Sequence, residues 1–205
     1  MTQPDPTSAT GRPTPAPTGY EPELWLIRHG ETEWSQTRRH TGRSDLPLLP
    51  EGEDAARALV SRLDGISFDL VLSSPLIRAR RTAELAGLTP QLEPLALEWD
   101  YGRYEGITTA QIQQTEPGWS IWSDPVPGGE SLAEVSARAD AVIARVRAEA
   151  PKRAVLVAHA HFLRVLAARW IGHEPRLAER LTLQTATISV LGWDRGLPVL
   201  DRWNS

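Results

Sequence analysis

Four side chains that can bind an anion or act as a nucleophile follow apolar segments of this sequence. Arg28 and His29 directly follow one segment, Arg78 comes shortly after a second, and His159 directly follows a third. Guanidinium groups bind phosphate and carboxylate oxygens, and an unprotonated imidazole is a nucleophile. If folding brings the four together, the sequence predicts an anion site for which phosphate is the natural ligand. Each residue alone also has a plainer explanation, because an arginine at a strand end often only reaches solvent.

The elements that would position these side chains alternate between strands and helices. Four apolar segments have the length and composition of buried strands, and they are Leu24 to Ile27, Phe68 to Leu72, Leu92 to Leu97 and Ala154 to Ala158. Helical patterns lie between them, which predicts an α/β fold with three layers, α/β/α, around a mostly parallel central sheet. Ligands of such sheets bind beyond the carboxyl ends of the strands, so the four candidate side chains should share one edge.

Caps and breakers set the expected bounds of the helices. Helices are predicted over Glu51 to Leu63, from an N-cap at Ser74 with Pro75 at the first helical position to about Ala86, from Thr108 or Thr109 to Glu116, from the capping box Ser131 to Glu134 as far as Pro151, and over Phe162 to Ile171. Residues 187–193 and 199–203, joined by a turn at 194–196, predict a C-terminal antiparallel hairpin. The segments 31–49, 98–106 and 117–130 are predicted to be loops.

Composition limits the class of protein. A length of 205 residues predicts one domain, over residues 23–205, because residues 1–22 have the Pro- and Thr-rich composition of a flexible tail. The net charge of −4 gives no general attraction for nucleic acid or for an anionic membrane surface. The chain has no cysteine, which excludes disulfides, thiolate zinc sites and cysteine nucleophiles and fits a cytoplasmic protein. No apolar run approaches the roughly 20 residues that a membrane span needs.

Glu98 opens an acidic, aromatic and glycine-containing segment, 98–106, which suits a loop over a pocket. A carboxyl group beside the anion site would supply a general acid and complete an enzyme. Spacing alone does not separate that role from an ordinary surface carboxylate. Trp119, Trp122 and Tyr101 are candidates to shape an aromatic pocket, although most tryptophans of a chain this size belong to the core or its rim.

The sequence resembles the histidine phosphatase superfamily, also called phosphoglycerate-mutase-like. The resembling pieces, in chain order, are Leu26 to Trp34, Ser73 to Ala79, Glu98 with Gly102, Gly128 to Ser131 and Val157 to His159. They span about residues 24–193. The resemblance implies the histidine phosphatase fold, and several ordered pieces are much more specific than a single Arg-His-Gly triplet.

The resemblance also implies roles for the candidate residues. His29 would accept the phosphoryl group, Arg28, Arg78 and His159 would clamp its oxygens, and Glu98 would protonate the leaving oxygen and later activate water. No metal or other cofactor is implied; a metal pair at His159 and His161 would lack a third ligand. The family's substrate contacts fall on Gly30, Ser35, Thr41, Gly42, Tyr101 and Ala160. Ser35 stands where mutases have asparagine, and Ala160 replaces a glycine, so its methyl either narrows the approach to phosphate or is harmless at negative φ.

Three functions remain open at this stage. The first is a metal-independent phosphomonoester hydrolase of the acid or sugar-phosphate phosphatase type, with a small phosphorylated substrate and inorganic phosphate as product. The second is a phosphoglycerate mutase, which is less favoured because mutases carry a long basic insertion, whereas Arg103 is the only basic residue between Glu98 and Ser131. The third is a non-catalytic phospho-ligand binding module, which would need neither nucleophile nor acid. A homodimer is left open, and neither nucleic acid nor membrane is expected as a partner.

Overall fold

The computed structural model of the protein describes residues 21–205 and contains one sheet with helices on both faces. The strands are β1 (Glu23–Arg28), β2 (Leu70–Ser73), β3 (Gln91–Leu92), β4 (Arg153–Ala158), β5 (Ile188–Asp194) and β6 (Leu197–Arg202). The α-helices are α1 (Glu33–Gln36), α2 (Pro50–Leu63), α3 (Ile77–Leu85), α4 (Thr109–Thr115), α5 (Leu132–Glu149) and α6 (Ala160–Trp170). Short 3₁₀ turns cover Pro94–Ala96, Gly102–Tyr104 and Pro175–Arg180.

The sheet is mixed, with strand order β3-β2-β4-β1-β5-β6. The first four strands of that order run parallel, and β4 lies between β2 and β1, with Leu156 opposite both Leu72 and Leu26. β5 is antiparallel to β1 and forms a hairpin with β6. The predictions of a mostly parallel sheet and of a C-terminal antiparallel hairpin are therefore confirmed.

Alternation of side chains along the strands builds a core on each face of the sheet. In β1, Leu24 and Leu26 pack into the cluster that contains α5 and α6, whereas Trp25 and Ile27 pack into the cluster that contains α2 and α3. Successive strand residues point to opposite faces, so a strand covered on both sides needs apolar residues at every position. This accounts for the unbroken apolar runs and confirms the three-layer α/β/α arrangement.

The predicted strand from Leu92 to Leu97 is wrong over most of its length. Only Gln91 and Leu92 pair with β2, and a 3₁₀ turn begins at Pro94. Proline has no N–H to donate to a ladder, and the Glu93 carboxylate accepts a hydrogen bond from the Leu95 N–H at 2.9 Å, which stabilises the turn instead.

The predicted N-cap at Ser74 is also wrong. Helix α3 begins at Ile77, after Pro75, and the Ile77 N–H donates to Asp45 Oδ1 at 2.7 Å, so a distant loop supplies the cap. Ser74 Oγ lies 2.7 Å from His159 Nε2, in a buried position. The shorter contact of the hydroxyl is therefore with a histidine that follows the neighbouring strand β4, and its contact with the Leu76 N–H, at 3.4 Å, lies just before α3.

The predicted flexible tail falls outside the described residues, apart from its last two. The carbonyl of Pro22 accepts a hydrogen bond from Trp193 Nε1 at 3.0 Å, which ties the start of the described chain to β5. Within residues 21–205, none of the helices combines the length and the apolarity required to cross a bilayer.

The turn after β1 is locked against the start of α2 by two glycines. A Cβ on Gly30 would lie 2.4 Å from the Gly52 carbonyl oxygen, and a Cβ on Gly52 would lie 2.3 Å from the Glu31 carbonyl oxygen. The Gly30 N–H also donates to Thr82 Oγ1 of α3 at 2.9 Å. Because both contacts are between backbones, no side-chain rearrangement can relieve them, and they fix the residue before the turn, His29.

We expect Gly30→Ala to destabilise the protein by roughly 1–3 kcal/mol, the usual cost of forcing extra volume into a packed site. Urea unfolding followed by circular dichroism measures this change. Gly192→Ala is the matched control, because its Cβ would meet its nearest neighbour, Asp201 Cβ, at an ordinary 3.6 Å. A Gly30→Ala variant as stable as the Gly192→Ala variant would contradict the close approach of α2.

Candidate active site

The carboxyl edge of the sheet brings the predicted residues together. Arg28 ends β1 in register with Ala158 at the end of the adjacent β4, so His29 and His159 follow neighbouring strands. Their ring centroids lie 5.1 Å apart, and Arg78 donates from Nε to His159 Nδ1 at 3.2 Å. The structure thus places these residues around one buried point.

His29 has the environment of a nucleophile. Its Nδ1 lies 2.7 Å from the Gly30 carbonyl oxygen, so Nδ1 carries the proton and donates it. Nε2 has no hydrogen-bond partner among residues 21–205. Burial lowers the pKa of His29 well below its ordinary value, and the positive charges of Arg78 and Arg28 lower it further. The lone pair on Nε2 is therefore free at neutral pH.

His159 holds the opposite tautomer. Its Nδ1 accepts from Arg78, which leaves the proton on Nε2, and Nε2 donates to Ser74 Oγ at 2.7 Å. The side chain is fully buried, and burial followed by the charge of Arg78 lowers its pKa well below the ordinary value. His159 is consequently a neutral hydrogen-bond donor beside the nucleophile.

Arg78 organises the loop that follows α1. Its guanidinium donates to the carbonyl oxygens of Ser44 at 2.7 Å, Gly42 at 3.0 Å and Thr41 at 3.1 Å. The side chain has no exposed surface, and burial lowers its pKa. A buried guanidinium is tolerated only when its donors are paired, so Arg78 and this loop hold each other in place.

Glu105 fixes the same loop from the other side. Its carboxylate accepts hydrogen bonds from the backbone N–H of Gly42 at 2.9 and 3.0 Å and from that of Ser44 at 3.0 Å. A Cβ on Gly42 would lie 2.5 Å from the Trp99 carbonyl oxygen, so glycine is required by space. The sequence prediction assigned Glu105 no role, and no local pattern indicates a contact so far along the chain.

Arg28 has an N–H donor that no group of residues 21–205 accepts. One terminal nitrogen donates to the Leu183 carbonyl oxygen at 2.6 Å, but Nε is buried without a partner among the described residues. Burial lowers the pKa of Arg28, and the negative charge of Glu98 partly offsets that effect. An unpaired buried donor is costly, and an anion seated beside His29 is the kind of ligand that would satisfy it.

Glu98 lies at the beginning of α6, next to His159. Its Oε1 accepts from the backbone N–H of Trp99 and of Phe162, each at 2.9 Å, and its Oε2 accepts from that of His161 at 3.1 Å. The carboxyl group is 4% exposed, so it is not an ordinary surface carboxylate. It therefore both caps a helix and stands at the edge of the site.

An aromatic cluster lies beside these groups. The Tyr101 hydroxyl lies 2.5 Å from His161 Nδ1, and burial raises the pKa of Tyr101 well above its ordinary value, so the hydroxyl is the donor. His161 contacts the ring of Trp122 at 5.1 Å, and His40 contacts that of Trp119 at 5.8 Å. The His161 and His159 imidazoles thus have different partners, and within residues 21–205 no three His, Asp or Glu side chains gather as a metal site would require.

The remaining predicted substrate contacts have mixed surroundings. The Ser35 hydroxyl makes its hydrogen bonds with the Thr32 backbone, in a capping box that begins α1. Ala160 is the first residue of α6 and has negative φ, so its methyl causes no backbone strain. The Thr41 hydroxyl donates to the Arg39 carbonyl oxygen at 3.1 Å, and the carbonyl of Thr41 binds Arg78.

With this geometry established, comparison with known proteins decides the family. A family model of the histidine phosphatase superfamily (branch 1) matches residues 24–205. The chain belongs to this superfamily.

Individual members resemble the chain over most of its length. An acid phosphatase of Mycobacterium tuberculosis (strain ATCC 25618 / H37Rv) is 40% identical over 178 residues, which are 85% of this chain and 88% of that protein. A sedoheptulose 1,7-bisphosphatase of Saccharomyces cerevisiae is 31% identical over 191 residues, 74% of this chain and 68% of that one. The solved structure of the open reading frame Rv3214 from Mycobacterium tuberculosis superposes with a TM-score of 0.85 at 37% identity, covering 89% of this chain and 97% of that one. The predicted superfamily, fold and phosphatase class are confirmed.

We expect His29 and His159 to stay neutral at pH 6, where an imidazole in water is mostly protonated. Burial and neighbouring arginines lower both pKa values, so long-range ¹H–¹⁵N spectra should show a proton on Nδ1 of His29 and on Nε2 of His159. The unfolded chain protonates these rings below about pH 6.5, so folding stability should decrease as the pH falls from that value. A doubly protonated His29 at pH 6 would contradict the assignment.

Proposed function

We propose that this chain is a metal-independent phosphomonoester hydrolase that works through a phosphohistidine on His29. The observation that carries the proposal is the Nε2 of His29, unpaired within residues 21–205 and held in the reactive tautomer by the Gly30 carbonyl oxygen at 2.7 Å. Around it stand the unpaired Nε of Arg28, the neutral donor His159 and the carboxyl group of Glu98. These are a nucleophile, an anion site and a proton carrier within one buried edge of the sheet.

In the first step, His29 Nε2 attacks phosphorus while the bond from phosphorus to the ester oxygen breaks. A P–N bond forms, and Glu98 gives its proton to the departing oxygen, which leaves as an alcohol. Arg28, Arg78 and His159 would stabilise the charge on the transferring PO₃ unit. The Gly30 carbonyl oxygen stabilises the imidazole as its positive charge develops.

In the second step, water attacks the phosphohistidine. Glu98, now a carboxylate, accepts a proton from the water as the P–N bond breaks, and inorganic phosphate leaves. His29 recovers its neutral form and Glu98 its proton, so the cycle closes without a further reactant.

We propose a small sugar-phosphate-like ester as the substrate class. Tyr101, Trp119 and Trp122 lie in the aromatic cluster beside the site, but all three are buried in the core, so they pack behind the site and do not line an open pocket. The named relatives include an acid phosphatase and a sedoheptulose 1,7-bisphosphatase, which supports the same class. We further propose Gly30, Ser35, Thr41, Gly42, Tyr101 and Ala160 as substrate-contacting positions.

We expect His29→Ala to abolish turnover of phosphomonoesters, because no other residue can form the P–N bond. Rapid-quench incubation of wild-type protein with ³²P-labelled substrate should trap an acid-labile, base-stable label on His29. His173→Ala is the matched control, since His173 is exposed beyond the far end of α6. Turnover that survives His29→Ala would remove the proposed mechanism.

Analysis of the products separates the proposed hydrolase from the two alternative functions. A phosphoglycerate mutase, supplied with 3-phosphoglycerate and a bisphosphate primer, would form the 2-phospho isomer faster than inorganic phosphate. A binding module would retain phosphate without hydrolysing any ester of a phosphomonoester panel. We expect release of inorganic phosphate to dominate.

We expect Glu98→Gln to lower kcat/KM selectively for esters with poor leaving groups. An alkyl phosphate needs a proton on its departing oxygen and should lose about 10²- to 10⁴-fold, the usual contribution of a general acid. p-Nitrophenyl phosphate releases a stable phenolate and should lose much less. An equal loss on the two substrates, measured as released phosphate, would show that Glu98 is not the acid.

A further inference from the structure

The segment that carries Glu98 has little regular structure of its own to hold it. Residues 97–101 run between two 3₁₀ turns, after a strand of only two residues. A general acid must nevertheless be held within a fraction of an ångström of the atom that it serves. The contacts of this segment with the rest of the protein therefore decide where the carboxyl group lies.

Arg138 of α5 binds the backbone on the amino side of the acid. One terminal nitrogen donates to the carbonyl oxygens of Leu95 at 2.6 Å and Leu97 at 2.8 Å, and the other donates to that of Glu98 at 3.3 Å. The guanidinium also lies 5.1 Å from the ring centre of Phe162, whose N–H binds the Glu98 carboxylate. Arg138 thus contacts both the backbone that carries Glu98 and the residue of α6 that binds the Glu98 carboxylate.

Glu130 binds the backbone on the carboxyl side. Its Oε2 accepts from the Asp100 N–H at 2.9 Å, its backbone carbonyl accepts from Trp99 Nε1 at 2.7 Å, and its own N–H donates to the Asp100 carbonyl oxygen at 2.9 Å. The adjacent Gly129 permits this approach, because a Cβ there would lie 2.3 Å from the Asp100 carbonyl oxygen.

A bidentate ion pair joins Arg138 to Glu130. Arg138 Nε lies 2.7 Å from Glu130 Oε1, and a terminal nitrogen of Arg138 lies 2.8 Å from Glu130 Oε2. The side chains are only 14% and 17% exposed, so water screens the pair little. A planar fork is needed to reach two carboxylate oxygens and three carbonyls at once, and a lysine ammonium cannot replace it.

We propose that Arg138 and Glu130 are positioning residues that set the location of the Glu98 carboxyl group in the hydrolysis of phosphomonoesters. The inference rests on the proposed function. Neither side chain is assigned contact with substrate; both act through the backbone of residues 95–100. Their loss should therefore impair proton transfer to the leaving oxygen while leaving the attack by His29 nearly intact.

The test compares Arg138→Lys and Glu130→Gln with wild type on an alkyl phosphate and on p-nitrophenyl phosphate. The ratio kcat/KM reports steps up to the phosphorylation of His29, in which only the alkyl ester needs the proton. We expect about a 10- to 100-fold loss on the alkyl ester, the scale of a small misplacement, and a change of less than about threefold on p-nitrophenyl phosphate. Arg169→Lys is the matched control, because Arg169 and Asp140 form another bidentate pair between α5 and α6, at 2.9 and 3.0 Å.

Hydrogen exchange supplies a readout that does not depend on activity. Amide exchange over residues 97–101 should be faster in Arg138→Lys than in wild type and unchanged in Arg169→Lys. Equal losses on both esters, or unaltered exchange in this segment, would overturn the inference even with His29 chemistry intact. A wild-type protein that hydrolyses neither ester would overturn the proposed function and this inference with it, whereas altered exchange in that case would still show the structural contact.

Discussion

The burial of the Arg78 guanidinium is the constraint on which the site depends. A charged group without exposed surface is stable only when its donors are paired, and Arg78 meets this condition with His159 and three carbonyl oxygens of the loop after α1. These contacts join α3, the end of β4 and the loop into one unit. Glu105 completes the unit by accepting the N–H groups of the same loop. Protein groups alone therefore hold the geometry of the proposed anion site.

Electrostatics then favours neutral histidines among these cations. The ring centroids of His29 and His159 lie 5.1 Å apart beside two arginines. A positive charge on either ring would be unfavourable at this buried position. Their hydrogen bonds select opposite tautomers, one with a free lone pair and one with an N–H. The Nε2 lone pair of His29 is thus free, whereas the N–H of His159 is engaged by Ser74 and its Nδ1 by Arg78.

The sequence was sufficient for the layers, the mostly parallel sheet and the convergence of Arg28, His29, Arg78 and His159, because apolar runs mark the buried strands and the carboxyl ends of parallel strands share an edge. It failed where a long-range contact replaced a local one. Ser74 reads as a helix cap but binds His159, and Asp45 supplies the cap instead. Pro94 ended the expected third strand. Glu105, Glu130 and Arg138 contact residues tens of positions away, which no periodicity or capping pattern encodes.

The capping role of Glu98 has a consequence for observing the protein at work. The N–H groups of His161 and Phe162 donate directly to its two carboxylate oxygens, so their magnetic environment follows the charge on that group. These two amides are intrinsic probes. In a ¹⁵N-labelled sample, their shifts at the first turn of α6 would report directly on the proton transfer proposed for Glu98.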